Sequence, residues 1–220
     1  MPASHAPHRL ALAVALSLVA VPCLAEDPGA YVTLTAGLTG QRDQTLDFRS
    51  AGSSARGDAG FDSGFLGGGA VGYRFGNGWR VEGEFTYQTV DHDGRTFAAV
   101  GPSGAGNYAS TSVAINGLYE FDLLGSARAR TYVGAGLVYL TEVDIDFEQG
   151  STERSFSGNG NGVQLLAGAR YDLGERWFLD AGLRYLAASG LDLEEESGGS
   201  GRIEADYAPW AATIGVGWRF

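Results

Sequence analysis

From Trp210 to Phe220 the chain alternates large apolar residues with small or polar ones. Trp210, Ala212, Ile214, Val216, Trp218 and Phe220 fall on one side, and Ala211, Thr213, Gly215, Gly217 and Arg219 on the other. A strand repeats its side-chain direction every two residues, so this segment predicts a strand with one greasy face and one small, polar face. Soluble sandwiches alternate too, but an aromatic in the final position suits a closing strand whose last residue sits at a membrane interface. The pattern therefore predicts a transmembrane β-barrel.

The N-terminus fits that expectation. Arg9, with His5 and His8, precedes the apolar run Leu10 to Val21, and Pro22-Cys23-Leu24-Ala25 offers a small residue before Glu26. This is the order of a secretory signal peptide, predicted over residues 1–25 and cleaved after Ala25. The run is too short to span a bilayer, where about 20 apolar residues are needed. A lipid-anchored alternative would use Cys23, but Pro22 beside it fits that processing badly. Cleavage removes Cys23, the only cysteine. That excludes disulfide scaffolds and cysteine–zinc sites, and suits export into an oxidising compartment. About 195 residues remain, enough for the single barrel domain expected over 26–220. Every basic residue is Arg; 15 basic residues against 26 acidic ones give a net charge of −11. Such acidity argues against nucleic acid as a partner.

Period-two alternation predicts eight strands, at about 30–40, 64–75, 79–89, 109–122, 128–142, 162–173, 177–187 and 207–220. Connections after the second, fourth and sixth are tight: Gly76-Asn77-Gly78, Leu123 to Ala127, and Gly174-Glu175-Arg176. The other connections run to roughly 20 residues rich in Gly, Ser, Asp and Glu, the layout of outer-membrane barrels with periplasmic turns and extracellular loops. The fold class is thus an all-β, eight-stranded antiparallel up-and-down transmembrane β-barrel. Aromatics gather beside the short turns: Tyr73, Phe75, Trp79, Tyr119, Phe121, Tyr171, Trp177, Trp218 and Phe220. Tyr and Trp favour that level because their rings stay dry while their polar atoms reach headgroups.

The third predicted strand sets Trp79, Val81, Phe85 and Tyr87 against Arg80, Glu82, Glu84 and Thr86. An arginine facing lipid near the midplane costs roughly 2–4 kcal/mol, so the charged face is expected inside. Arg74, Arg80, Arg130, Arg170, Arg184 and Arg219 then face Glu82, Glu84, Glu120, Glu142, Asp172 and Asp180 in a balanced interior network. An eight-stranded barrel has just enough interior for its own side chains, which favours a salt-bridged plug over an ion path.

Three stretches carry the resemblance to a known family: G-Y-R-F-G-N-G-W-R-V-E-G-E-F at 72–85, Y-V-G-A-G-L at 132–137, and I-G-V-G-W-R-F at 214–220. The chain resembles the small eight-stranded outer-membrane proteins typified by OmpA's membrane domain, OmpX and the opacity-type surface antigens. That resemblance covers essentially the whole mature chain. It implies a bacterial outer-membrane location, but the scaffold hosts many activities. Ile214, Val216, Trp218 and Phe220 look like the family's signal to the barrel-assembly machinery.

Other chemistry is sparse. His92, in Asp91-His92-Asp93, has no serine placed convincingly beside it and reads as an ordinary loop residue. Asp144, Asp146 and Glu148, and Asp192 with Glu194, Glu195 and Glu196, form acidic loops without the spacing of a dedicated calcium motif; a solvated, self-repelling loop is the simpler reading. Arg56-Gly57-Asp58 spells the integrin tripeptide, which three residues match easily by chance. No cofactor is expected and no residue set supports turnover. The expected role is structural and interactive: a monomer packing against outer-membrane lipids and lipopolysaccharide, with mobile loops that touch a surface ligand. A lipid A-modifying enzyme and a narrow channel for small solutes remain the alternatives.

Overall fold

The computed structural model describes residues 28–50, 53–92, 105–126, 128–149, 152–196 and 199–220. The predicted export segment, 1–25, lies outside the described residues. Among the described residues eleven strands form: β1 (Gly29–Gly40), β2 (Gln44–Ser50), β3 (Ser53–Ala59), β4 (Phe61–Arg74), β5 (Trp79–His92), β6 (Gly106–Phe121), β7 (Ala129–Gln149), β8 (Thr152–Asp172), β9 (Trp177–Glu195), β10 (Arg202–Tyr207) and β11 (Trp210–Arg219). Eight of them, β1, β4, β5, β6, β7, β8, β9 and β11, pair antiparallel in that order, and β11 returns to β1. The closing seam is continuous from Tyr31↔Arg219 to Gly40↔Trp210. The wall is thus an antiparallel up-and-down ring.

All eight predicted strands are present, but the long loops differ from expectation. Strands β7 and β8 run 21 residues each, about twice what a tilted strand needs to cross a bilayer. Strands β2, β3 and β10 arise where polar loops were expected, and β9–β10–β2–β3 continue the sheet beyond the ring. The predicted last strand, 207–220, is split: Tyr207 ends β10, and Pro209, without an N–H to donate, precedes β11. The ordered extension has a cause in burial. Leu46, Phe48, Phe147, Phe156, Leu193, Ile203 and Tyr207 are essentially inaccessible and belong to one apolar cluster. The loop segments therefore have a core to fold onto.

Side-chain direction follows the two-residue period until a bulge resets it. In β7, Tyr132, Val138 and Leu140 point inward; between Leu140 and Val143 the register shifts against both neighbours, after which Val143, Ile145 and Phe147 are buried. One inserted residue moves every later side chain to the opposite face. The outer wall is apolar, with Leu34, Leu137 and Ile214 each at least 70% exposed. Aromatic pairs sit on it beside the short turns: Tyr73–Phe75 at 5.1 Å, Trp79–Tyr119 at 5.2 Å and Trp177–Trp218 at 4.7 Å between ring centroids.

Glycine makes room for the large rings inside. A Cβ on Gly217 would lie 2.0 Å from the Phe178 ring, one on Gly72 2.3 Å from Tyr31, and one on Gly168 2.5 Å from the Tyr132 hydroxyl. Gly217→Ala is accordingly expected to cost about 1–3 kcal/mol through overpacking. Phe178→Leu is costly by itself because the Phe178 ring covers Arg170, but in that background Gly217→Ala should cost far less than it does alone. Urea unfolding of the three variants in detergent micelles measures this; equal midpoints for Gly217→Ala and wild type would disprove the fit.

Candidate functional site

The half of the barrel nearest the short turns holds the ionised side chains. Arg80, brought inward by its place in β5, is 2% exposed and lies 3.1 Å from Glu120 (Nε to Oε1) and 3.5 Å from Glu82. Arg170 of β8 approaches the same Glu120 oxygen at 3.6 Å and Asp180 of β9 at 3.8 Å. Arg184 pairs with Glu84, and Arg219 with Asp172. Neutral groups complete the carboxylates' shells. The Tyr31 hydroxyl donates to Glu82 at 2.5 Å, and the Tyr132 hydroxyl to Asp180 at 2.8 Å. Asn116 and Gln164 donate to Glu84 at 2.8 and 3.1 Å. Rings cover the guanidinium faces: Arg170 stands 3.9 Å from the Phe178 centroid and 4.6 Å from Tyr31, and Arg80 4.8 Å from Tyr132. A desolvated cation–π contact of this kind contributes about 2 kcal/mol.

Of the residues expected in this network, Arg74 and Arg130 are buried near the short turns, where Arg130 donates to the Ser126 carbonyl at 2.8 Å. Glu142 is not inside. It is exposed, because the β7 bulge falls just before it and turns its side chain outward. Six arginines therefore meet five carboxylates rather than six. Among the neutral members, the sequence places Gln164 on the inward face with Arg170, but it leaves Tyr31, Asn116 and Tyr132 unnamed; these share inward parity with residues assigned there, so parity was the available signal.

Above the charges lies a neutral layer, in which the Tyr207 hydroxyl meets Gln88 at 2.7 Å and Ser110 at 2.8 Å. Above that the interior is apolar. His92 belongs to this upper part as the last residue of β5, 3% exposed, and is no loop residue. Its Nε2–H donates to the Asp146 carbonyl at 2.6 Å, and its ring packs 5.0 Å from Phe147 and 6.2 Å from Phe61. The remaining space beside Arg80, Glu82, Glu84 and Asp180 is a cavity of about 40 Å³, room for a few waters at most.

The acidic segments are folded strands rather than solvated loops. On the solvent face of the extension, Arg202 pairs with Glu194, Arg49 with Glu204 at 3.2 Å, and Arg56 with Asp47 at 2.8 Å. Glu195 accepts from Arg154 Nε at 2.7 Å and from the Gly201 N–H at 2.9 Å, which holds its carboxyl below the usual range. Arg56-Gly57-Asp58 lies within strand β3, and the Thr45 hydroxyl donates to Asp58 at 2.8 Å. Among the described residues, no group of three or more acidic, His or Cys side chains is arranged to hold a metal.

Two outcomes follow from this geometry. Glu120→Leu strands Arg80 and Arg170 without their shared carboxylate and should cost about 3–5 kcal/mol in urea unfolding; exposed Glu204→Ala, its control, should leave the midpoint unmoved. Asp144 sits on the extension with Glu142, Asp146 and Glu196 near it, and burial chiefly, then these charges, push its pKa up to about 6. A raised folded pKa means stability present below the unfolded value of 3.8 and lost as pH rises through about 6. Asp144→Asn should therefore slow hydrogen exchange over residues 141–149 at pH 7.5 and change nothing at pH 3.5. Slower exchange at both pH values would contradict the assignment.

Known proteins agree with this architecture. A family profile described as outer membrane protein beta-barrel domain matches residues 11–220. An outer membrane protein of Gluconacetobacter diazotrophicus is 34% identical over 122 residues, 51% of this chain and 32% of that protein. The match thus spans about a third of that relative's length. Among solved structures, OprG from Pseudomonas aeruginosa superposes with a TM-score of 0.64 at 19% identity, covering 90% of this chain and 99% of that one. Neisserial surface protein A gives 0.53 at 20% identity, covering 89% and 100%. Both likenesses concern the fold alone. By the reach of the profile match, the chain belongs to the outer membrane protein beta-barrel domain family.

Proposed function

We propose that this outer-membrane protein is a sealed barrel with structural and interactive work: it packs against lipopolysaccharide and lipid, stiffens the envelope, and holds a folded sheet outside the cell as a contact surface. In this reading residues 1–25 are removed on export, the short turns face the periplasm, and the extension of β7–β10, β2 and β3 stands in the medium. The observation that carries it is the filling of the interior at two levels. Paired arginines and carboxylates occupy the lower half, and Leu140, Ile145, Leu186 and Tyr207 the upper. An ion would have to leave its counter-charges and then cross an apolar stretch, which desolvation forbids without large rearrangement.

Lipid contact is supported by the outer wall, where Leu34, Ala36, Ala169, Leu179 and Ile214 help line an open apolar hollow of about 780 Å³. Ile214, Val216 and Phe220 lie exposed on the outer face of the closing seam, accessible to the assembly machinery before lipid covers them. Against turnover, His92 is packed between rings at the core of the extension, where a lipid substrate does not reach it.

Planar-bilayer recording of the refolded protein tests the reading. Near-zero conductance is expected for the wild type, and stepwise channels would overturn the sealed barrel in favour of a conduit. Lipid A mass spectra from overexpressing cells should be unchanged. A His92-dependent mass shift would instead establish an enzyme.

A further inference from the structure

The outer wall is not evenly smooth. Across the closing seam and the strands beside it lies the apolar hollow of about 780 Å³, within the roughly 300–1,000 Å³ of pockets that hold small ligands. The register explains its shape. Ala36, Ile214, Ala181 and Ala169 form one row across β1, β11, β9 and β8; Leu34, Val216, Leu179 and Tyr171 form the next row toward the short turns. Three alanines in the first row set a floor below the level of the larger side chains. Leu124, exposed in the β6–β7 turn, closes the end nearest the turns. One row further stands the pair Trp177–Trp218, and the Arg176 guanidinium lies 5.5 Å from the Trp218 ring. The Arg219 N–H donates to the Arg176 carbonyl at 2.9 Å and ties this turn to the end of β11. Arg49, Arg56, Arg154 and Arg202 of the extension each meet a carboxylate. Exposed Arg176 meets none among the described residues, its chain neighbour Glu175 included.

We propose that this hollow is a phospholipid site: one acyl chain lies along its alanine floor, and the lipid's phosphodiester binds Arg176 at the aromatic girdle. The two halves of the ligand meet two matching chemistries. A chain on a smooth wall touches protein along one side only. One sunk between Leu34, Ile214, Leu179 and Leu124 gains dispersion contacts on its flanks as well. At the headgroup level a guanidinium meets a phosphate through two parallel N–H donors, and the indoles of Trp177 and Trp218 sit dry-ringed with their N–H groups toward the interface. The hollow lies at the short-turn end of the wall, so the lipid comes from the periplasmic leaflet rather than from the lipopolysaccharide outside. This rests on the proposed function, with residues 1–25 removed and the short turns in the periplasm. The bound chain also acts on the fold. Leu34 and Ala36 belong to β1, and Ile214 and Val216 to β11, the two strands of the closing seam. A chain lying across all four adds an outer clasp to the seam's backbone hydrogen bonds.

The test is native mass spectrometry of the mature chain refolded in dodecyl maltoside. It is titrated with palmitoyl-oleoyl phosphatidylglycerol, or with the diacylglycerol that carries the same two chains. Wild type should retain one phospholipid, and bind the diacylglycerol about fivefold less tightly, the effect of one cation on an anionic headgroup. Arg176→Gln should weaken the phospholipid about fivefold and leave the diacylglycerol unchanged. Ala169→Leu with Ala181→Leu fills the floor and should abolish retention of both. Gly83→Leu adds similar bulk to the opposite wall, where a Cβ meets nothing within 4 Å, and should retain lipid like wild type. Added phospholipid should raise the melting temperature of wild type but not of the filled variant. Retention that survives the filled floor sinks the chain's path, and equal losses of both lipids with Arg176→Gln sink the phosphate contact. Lipid A that displaces the phospholipid from wild type reassigns the site to lipopolysaccharide. Orientation is read separately, because a micelle has no sides. Asn77→Cys in the β4–β5 turn should resist a membrane-impermeant maleimide on intact cells; labelling there sinks the orientation and the leaflet but not the site.

Discussion

A guanidinium inside this barrel has neither bulk water nor lipid headgroups to solvate it, so its counter-charge must come from the wall. That constraint organises the lower half of the molecule. Arg80, Arg170, Arg184 and Arg219 come from β5, β8, β9 and β11, and their carboxylates from β5, β6, β8 and β9. Each pair therefore ties strands that need not be neighbours, and the network works as a set of internal struts across the ring. Glu120 matters most because it serves two arginines at 3.1 and 3.6 Å. The aromatic rings of Tyr31, Tyr132 and Phe178 fill the space between the struts and face the cations, so packing and charge compensation use the same atoms.

The same constraint explains the glycines. Eight strands enclose little volume, and an interior holding six arginines and several rings has no room for a Cβ at every inward position. Gly72, Gly168 and Gly217 stand where the Tyr31, Tyr132 and Phe178 rings arrive. Glycine in these strands is thus a packing residue. A composition that elsewhere signals disorder here reports crowding.

The wall was readable because its rule is local: apolar outward, small or charged inward, every second residue, for about ten residues at a time. Trp79 to Gln88 obeys it without exception, and so the strand and its inward Arg80, Glu82 and Glu84 were legible. Three things were not. The β7 bulge is set by register against β6 and β8, which no single segment reveals, so Glu142 was expected inside when its parity had already been reset. The strands of the extension alternate over too few residues: Leu46 and Phe48 in β2, and Ile203, Ala205 and Tyr207 in β10, lie among Gly, Ser and charges. Their apolar side has meaning only once β7, β8 and β9 rise to meet them. His92 looked like a loop residue for the same reason, since the strand was expected to end before it.

The interior therefore changes character along the barrel axis, and the order of the layers is itself informative. Ion pairs lie below, a neutral layer of Gln88, Ser110 and Tyr207 comes next, and an apolar core stands above. A path for ions would reverse this economy, keeping polar groups continuous and water-accessible from end to end. Here the polar groups are used up on one another, and the apolar core continues into an extension whose solvent face is a ladder of Arg–carboxylate pairs. A chain with net charge −11 can raise such a sheet beyond the wall because its few outer arginines are placed between its carboxylates. Among the described residues the ladder reaches Arg56 and Asp58 on β3, the sheet's last strand.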